Sequence, residues 1–357
     1  DYLLSATGAH IWEGSLSLER FPYLADHRVG ETAVFPAAGF VEMLLAAARL
    51  AFPDSSPALM DLSFLEALPL LPAESRSVQI IITPDVPGTA VCQFFSRLPG
   101  AAEWTLHVNG QVRLSAALPD APLLPLPGTE SVSGQTHYRA LDACGLPYGP
   151  GFQGVQQLWR IAGAVLGDLT LPEAPTVQST AHLLPPALLD AAFQLLLAAR
   201  PPGRETYVPV SVAQVWLHGR FLPDAAYRAF VMPQPQADGL QGGRFIFAED
   251  RLVCAAVGLH MRPLPGQTPS VTDWMYTVQW QPKPLAERPS PTFATPGQWL
   301  IFAAADGLGP QLAARLTAVG EQARLLTVND LDAAAPTAVA HILAELPGER
   351  PLRGILH

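Results

Sequence analysis

The sequence predicts an α+β chain in which one fold is used twice: two antiparallel sheets, each wrapped on a central helix, followed by a partial α/β unit. Three observations carry this reading. Two strongly apolar runs, one from Ala37 and one from Ala187, each open on Pro-Ala and continue for about four helical turns. Each is accompanied by short β-rich stretches bounded by Pro, Gly or Asp. Beyond Ser270 the pattern changes to strand and helix in alternation.

The 357 residues suffice for two or three domains, and 49% hydrophobic against 15% charged residues makes large cores easy to build. A formal charge of −10 and a pI near 5.3 argue against a nucleic-acid or anionic-membrane surface. Cys92, Cys144 and Cys254 lie far apart in apolar or strand-like contexts, so they are expected as reduced thiols of a cytoplasmic protein, not as a disulfide or metal framework. No run reaches membrane-spanning length and no signal peptide is visible. The chain starts without Met and stops in the strand-like Gly354-Ile355-Leu356-His357, which suggests a piece of a longer polypeptide.

In chain order, a strand is expected at residues 11–18, followed by Asp26-His27-Arg28-Val29-Gly30-Glu31 and a β-rich stretch, Thr32 to Phe35. Pro36 has the fixed φ and missing N–H suited to a first helical turn. Ala37, Ala38 and Gly39 keep that turn slim enough for a substrate to approach unpaired backbone N–H groups. Val41, Leu44, Leu45 and Ala48 then recur at helical spacing. Strands follow near 59–65, 78–83, 90–96 and 104–114, closing a first lobe at 1–117.

Residues 118–134, rich in Pro, Gly and Ser, read as a linker. The order then repeats over 135–265. A short helix at 135–144 leads into Tyr148-Gly149-Pro150-Gly151-Phe152, strands at 155–161 and 165–171, the second apolar helix from Pro186, and strands at 208–217, 227–232, 245–247 and 252–261. Residues 266–357 comprise a linker and a Rossmann-like alternation: strands at 276–280, 299–303 and 323–328, helices at 309–319 and 335–346. Asp306-Gly307-Leu308-Gly309-Pro310 resembles a dinucleotide loop only superficially. Leu312 stands where the third glycine would be and Pro310 lacks a phosphate-facing N–H, so the loop reads as structural.

Two ionisable groups stand out. His27 lies beside a buried helix start, and Asp190 lies near the start of a helix so apolar that an unpaired carboxylate costs several kcal/mol. Burial raises a carboxyl pKa toward a proton donor's range, whereas a helix start favours the anion. Gln194, one turn on, can hydrogen-bond or orient Asp190. If the two helices pack together, an imidazole base and a carboxylic acid share one cleft, a set suited to abstracting a proton α to a thioester carbonyl as a β-hydroxyl departs. No G-x-S-x-G elbow, Cys–His pairing, H-E-x-x-H or C-x-x-C is present.

These residues carry a family resemblance. His27 to Pro36, Tyr148 to Phe152 and Asp190 to Gln194 resemble the motifs of the dehydratase domain of bacterial modular polyketide synthases, a double-hotdog fold. In H-x-x-x-G-x-x-x-x-P, His27 and Pro36 match while Glu31 occupies the glycine position and Gly30 lies one place earlier. Y-G-P-x-F matches in full at Tyr148, Gly149, Pro150 and Phe152; D-x-x-x-Q/H matches at Asp190 and Gln194. Val208-Pro209-Val210-Ser211 is similar to a further L-P-x-S stretch, and Pro185-Pro186 stands where the family usually has His-Pro. The resemblance implies that His27 takes the α-proton of a 3-hydroxyacyl chain held on the phosphopantetheine of an acyl carrier protein. Asp190 would protonate the leaving hydroxyl, and Tyr148, Gly149, Pro150, Phe152, Gln194, Pro36 and Gly39 would shape or line the cleft. It implies no cofactor or metal within the domain, a homodimer, other domains of the same synthase as partners, and no nucleic acid or membrane. The tail from about Trp280, with Arg353 to His357, resembles the opening of a ketoreductase structural subdomain. Alternatives are a dehydratase that also closes a pyran ring by oxa-Michael addition, a catalytically silent structural domain, and a hotdog thioesterase.

Overall fold

The computed structural model describes residues 1–115, 122–172, 182–200, 205–219, 221–223, 225–234, 239–264, 295–304, 306–327, 338–346 and 350–356, with a few single positions between them. The chain divides into two compact units, Asp1–Met275 and Tyr276–His357.

The first lobe of the larger unit begins with β1 (Tyr2–Leu4) and β2 (His10–Ser17), then a 3₁₀ turn (Pro22–Asp26) and a small hairpin of β3 (Arg28–Val29) and β4 (Thr32–Ala33). Helix α1 (Ala37–Ala51) follows, then β5 (Ala58–Phe64), β6 (Ser75–Pro84), β7 (Thr89–Arg97) and β8 (Thr105–Arg113). The second lobe repeats the plan with β9 (Ser131–Ser133), α2 (Gly134–Asp142), a 3₁₀ turn (Pro150–Phe152), β10 (Val155–Ile161), β11 (Ala164–Leu169) and α3 (Pro186–Ala198). It ends with β12 (Tyr207–Leu217), β13 (Tyr227–Gln234), β14 (Leu240–Ala248) and β15 (Arg251–Pro263).

The expected pair of sheets is one continuous antiparallel sheet of thirteen strands, ordered β1-β2-β6-β7-β8-β5-β12-β15-β14-β13-β11-β10-β9. Its two halves meet where β5 pairs with β12, Leu62 opposite Val212 and Leu59 opposite Val215. Each half curls on its own helix. In β7 burial alternates residue by residue, so Ala90, Cys92, Phe94 and Ser96 face the core. A single apolar core contains both helices, and a second cluster around Trp159, Trp216, Phe230, Phe245 and Phe247 packs apart from it.

Several elements depart from the sequence-based expectation for local reasons. Residues 131–133 of the expected 118–134 linker form β9, a polar edge strand with no apolar alternation to betray it, and Gly134 already opens α2. β14 extends well beyond 245–247, because Gly242 and Gly243, which read as a turn, are strand residues set against β13. Pro36 is the cap ahead of α1 rather than a first-turn residue, its carbonyl accepting from the Gly39 and Phe40 N–H groups. In α3 the proline that opens the helix, Pro186, does sit in the first turn. The cysteines are free, with Cys92 and Cys254 buried.

The smaller unit has β16 (Gln298–Phe302), α4 (Leu308–Ala318), β17 (Gln322–Leu326), α5 (Ala338–Ala344) and β18 (Leu352–Leu356). Both β17 and β18 pair parallel to β16, as α/β alternation requires. Gly309, in the first turn of α4, is a packing device: a Cβ there would overlap Ala303. The strand expected at 276–280, residues 335–337 of the last expected helix and His357 lie outside the described residues.

Two stability tests follow from the larger unit. Leu62, fully buried at the seam, is expected to lose about 2–5 kcal/mol of unfolding free energy on Leu62→Ala in urea titration; a loss below about 1 kcal/mol would mean that the seam is not tightly packed. His137 of α2 is buried, and burial, reinforced by Arg160, pushes its pKa from the usual 6.5 down to about 4. Below pH 6.5 the unfolded chain takes up a proton that the folded chain refuses, so stability falls from pH 6.5 to about 4. His137→Phe is expected to flatten that acid limb in thermal melts, and an unchanged limb would remove His137 as its cause.

Candidate active site

The first catalytic candidate is presented by a short, heavily bonded loop. The Pro22–Asp26 turn ends at His27, and the hairpin behind it folds back so that the Val34 N–H donates to the His27 carbonyl at 2.9 Å. Gly30 carries the left-handed conformation of the two-residue turn at φ 58°, whereas Glu31 is exposed and not left-handed. The turn therefore uses the shifted glycine, the arrangement of a type II′ hairpin, and Glu31 fits without strain. Because the Val34 carbonyl can only accept, the His27 Nδ1 must donate to it at 2.7 Å. In the neutral ring Nε2 is then the unprotonated nitrogen. Phe152 and Tyr148 stand edge-on to the imidazole, at 5.1 and 5.5 Å between ring centroids, and leave it 8% exposed.

The second candidate comes from α3, all thirteen residues of which are buried. Asp190 lies in its second turn, 4% exposed, with Oδ1 3.7 Å from His27 Nε2. Its other oxygen, Oδ2, accepts from Gln194 Nε2 at 2.8 Å. The same amide nitrogen donates to the Phe152 carbonyl at 3.1 Å, and Gln194 Oε1 accepts from the Tyr138 hydroxyl at 3.0 Å. Tyr138 in turn accepts from the Val155 N–H at 2.8 Å. Each link has a determined direction, so the Gln194 amide cannot flip and Oδ1 is the carboxyl oxygen left for chemistry.

The two lobes are clasped beside this pair. Asp26 accepts from the Gly149 N–H with its carbonyl at 2.8 Å and from the Gly151 N–H with Oδ2 at 2.7 Å. A Cβ on Gly149 would overlap the Asp26 carboxyl, so only glycine permits the approach. The Gly30 N–H donates to the Gly145 carbonyl at 2.8 Å.

His27 and Asp190 open onto one cavity of about 480 Å³. Tyr148, Gln194, Phe40, Phe193, Val210 and Met261 are among its largely apolar walls. Val208 and Pro209 of the fourth motif also line it. Burial raises the Tyr148 hydroxyl well above its usual range, with the charge of Asp190 adding to the effect. The remaining expected residues play other parts. Phe152 buries the imidazole, Gly149 is spent on Asp26, Pro150 is exposed, and Pro36 caps α1. The Gly39 N–H is bonded to the Pro36 carbonyl, and its bare Cα receives the Phe35 ring, since a Cβ would lie 2.7 Å from Phe35 Cζ.

Sequence reasoning missed Tyr138, Asp26 and Glu42. Tyr138 sits in a polar helix whose inward face is short, and Asp26 reads as an ordinary turn residue; only the tertiary fold reveals their partners. Glu42 did carry a signal, being a carboxylate in an apolar helix just as Asp190 is. It is 5% exposed on α1 and accepts from the Leu183 and Leu184 N–H groups at 2.8 and 3.0 Å. Burial raises its pKa, and those two hydrogen bonds oppose the shift. Among the described residues no group of His, Cys, Asp and Glu is arranged to hold a metal ion, and no helix is long and apolar enough to cross a membrane.

Comparison with known proteins matches both lobes of the larger unit. Residues 2–97 match the family described as polyketide synthase dehydratase domain, and 116–270 match polyketide synthase dehydratase N-terminal domain. Mycoketide-CoA synthase of Mycobacterium tuberculosis is 31% identical over 301 residues, covering 79% of this chain and 7% of that protein. Pikromycin polyketide synthase component PikAII of Streptomyces venezuelae is 30% identical over 354 residues, covering 95% of this chain and 9% of that protein. The chain thus spans less than a tenth of these relatives. Among solved structures, an inactive His-to-Phe mutant of the CurK dehydratase superimposes with a TM-score of 0.68 at 25% identity, covering 75% of this chain and 98% of that one. An inactive Asp-to-Asn mutant of the same dehydratase gives 0.67 at 26%, covering 74% and 98%. The dehydratase domain from the CurF module of the curacin polyketide synthase gives 0.67 at 25%, again covering 74% and 98%. With both halves of its double hotdog matched, the chain belongs to the dehydratase domains of modular polyketide synthases, the hydro-lyases of polyketide biosynthesis.

Proposed function

We propose that this chain removes water from a 3-hydroxyacyl thioester held on the phosphopantetheine arm of an acyl carrier protein, with His27 as base and Asp190 as acid. The observation that carries the reading is the 3.7 Å approach of His27 Nε2 to Asp190 Oδ1 at one cavity, each group having its other polar atom tied off. His27 Nε2 takes the α-proton. Asp190 Oδ1 gives its proton to the β-hydroxyl, which leaves as water, and an α,β-unsaturated thioester remains. The imidazolium and carboxylate left behind stabilise one another until the proton returns. Tyr148, kept protonated by its surroundings, can donate to a substrate oxygen. That the mutants of the CurK dehydratase described as inactive replace one histidine and one aspartate supports this division of labour.

The same reading puts the chain in the cytoplasm among the other domains of a synthase, with 266–357 a linker and, from about Trp280, the beginning of a ketoreductase structural subdomain. It also makes β1 a pairing edge between two copies. Tyr2, Leu3 and Leu4 are 55%, 60% and 56% exposed at one end of the sheet, where the outer edge of an apolar strand, its other edge paired with β2, invites a partner.

His27→Ala and Asp190→Asn are each expected to lower turnover of a 3-hydroxyacyl carrier protein by at least about a hundredfold, with circular dichroism unchanged. Mass spectrometry of the carrier protein reads the result. Loss of one water supports the reading, an unchanged acyl chain supports a silent domain, and release of free acid supports a thioesterase. Retained turnover in either variant would remove that residue's role.

Tyr138→Phe is expected to cut kcat by roughly tenfold with KM little changed, because both hydrogen bonds of its hydroxyl, to Gln194 and from the Val155 N–H, are lost. In a Gln194→Leu background the same change is expected to cost almost nothing; an undiminished second loss would show that Tyr138 does not act through Gln194. Leu3→Lys is expected to shift sedimentation from dimer to monomer, and a wild-type monomer would end the pairing argument.

A further inference from the structure

Beside the catalytic cavity lies a second chamber of about 290 Å³, resting on α1 as the first rests on α3. Its walls include Leu16, Met43 and Ile80, with Glu42 and His182 among its polar lining and the exposed Glu13 and Arg20 also bordering it. One residue belongs to both spaces, Phe35, which lines the catalytic cavity and the second chamber alike. Its ring is closely packed. It seats against the bare Cα of Gly39 and stands edge-on to Phe40 at 4.9 Å, with Phe94 stacked at 6.1 Å.

The chamber has a carboxylate and an imidazole on its walls, as the catalytic cavity does, but it is not a second reaction centre. Both oxygens of Glu42 are taken by backbone N–H groups, whereas Asp190 keeps Oδ1 toward the cavity. What the chamber offers is largely apolar surface that shares one side chain with the cavity holding His27 and Asp190. Alone it falls at the small end of ligand-sized pockets, about 300–1,000 Å³; joined to the catalytic cavity it lengthens a tunnel.

Resting on the dehydratase reading, we infer that the second chamber is an annex for the distal end of a long acyl chain and that Phe35 sets the length the catalytic cavity accepts. A short 3-hydroxyacyl chain ends before the ring. A long apolar chain must turn the ring aside or stop against it. Phe35 is a specificity residue and takes no part in proton transfer.

The test compares a short and a long straight-chain 3-hydroxyacyl pantetheine thioester. Phe35→Ala is expected to raise the long-to-short ratio of kcat/KM by roughly tenfold, the scale at which one pocket group discriminates between chains. Phe35→Leu serves if the alanine variant folds poorly by thermal melt. Adding Met43→Phe, which fills the annex without touching the catalytic cavity, is expected to abolish the gain. An unchanged ratio in a folded Phe35 variant, or a gain that survives Met43→Phe, overturns the inference. Calorimetric binding of a long-chain amide analogue, which cannot turn over, is read in parallel. If wild-type protein fails to dehydrate either thioester, the dehydratase reading falls, while tighter binding of the analogue to Phe35→Ala than to wild type still supports the annex, and equal binding still overturns it.

Discussion

The site depends on a clasp. Asp26 holds the Tyr148–Phe152 turn of the second lobe through the Gly149 and Gly151 amides, and the next residue in the chain is His27. One short segment thus anchors the lobes to each other and delivers the imidazole. The turn it grips delivers Tyr148 and Phe152 edge-on to that imidazole, and the Phe152 carbonyl helps to hold Gln194. Loss of the clasp would reach His27, Tyr148 and Phe152 directly, and Gln194 through the Phe152 carbonyl.

Around the clasp, polar atoms are committed in fixed directions until two remain. The His27 Nδ1 is occupied by a backbone carbonyl, Asp190 Oδ2 by the Gln194 amide, and that amide by Tyr138 and Phe152. Such a buried network is costly when half satisfied and selective when complete. The contrast with Glu42 shows how much this matters. It is as deeply buried on the matching helix, yet its two backbone donors convert an apparent acid into a structural anchor for the chain ahead of α3.

Much of this was legible in the sequence. The two Pro-Ala helices and the strand-rich stretches could be read from apolar periodicity, and Asp190 from the anomaly of charge in an apolar helix; its meeting with His27 could be read only on the condition that the two helices pack together. Boundaries blurred where side-chain chemistry is ambiguous: Ser131–Ser133 has no apolar face to mark it as a strand, and Gly242-Gly243 has the composition of a turn. The seam between β5 and β12 was invisible, since pairing across about 150 residues leaves no local pattern. Tyr138 and Asp26 were hidden for the same reason, their partners lying far along the chain. Gly39 was misplaced because smallness beside a helix start suits a close-approaching substrate and a close-packed phenyl ring equally well.

The β5–β12 seam has a further consequence. Backbone hydrogen bonds running unbroken from lobe to lobe leave no hinge, for swinging one lobe away would rupture the ladder that joins them. This catalyst is a mould and not a jaw: its cargo must be threaded lengthwise, and adaptation to a new cargo has to come from resculpting single side chains along the bore, since the frame itself cannot yield.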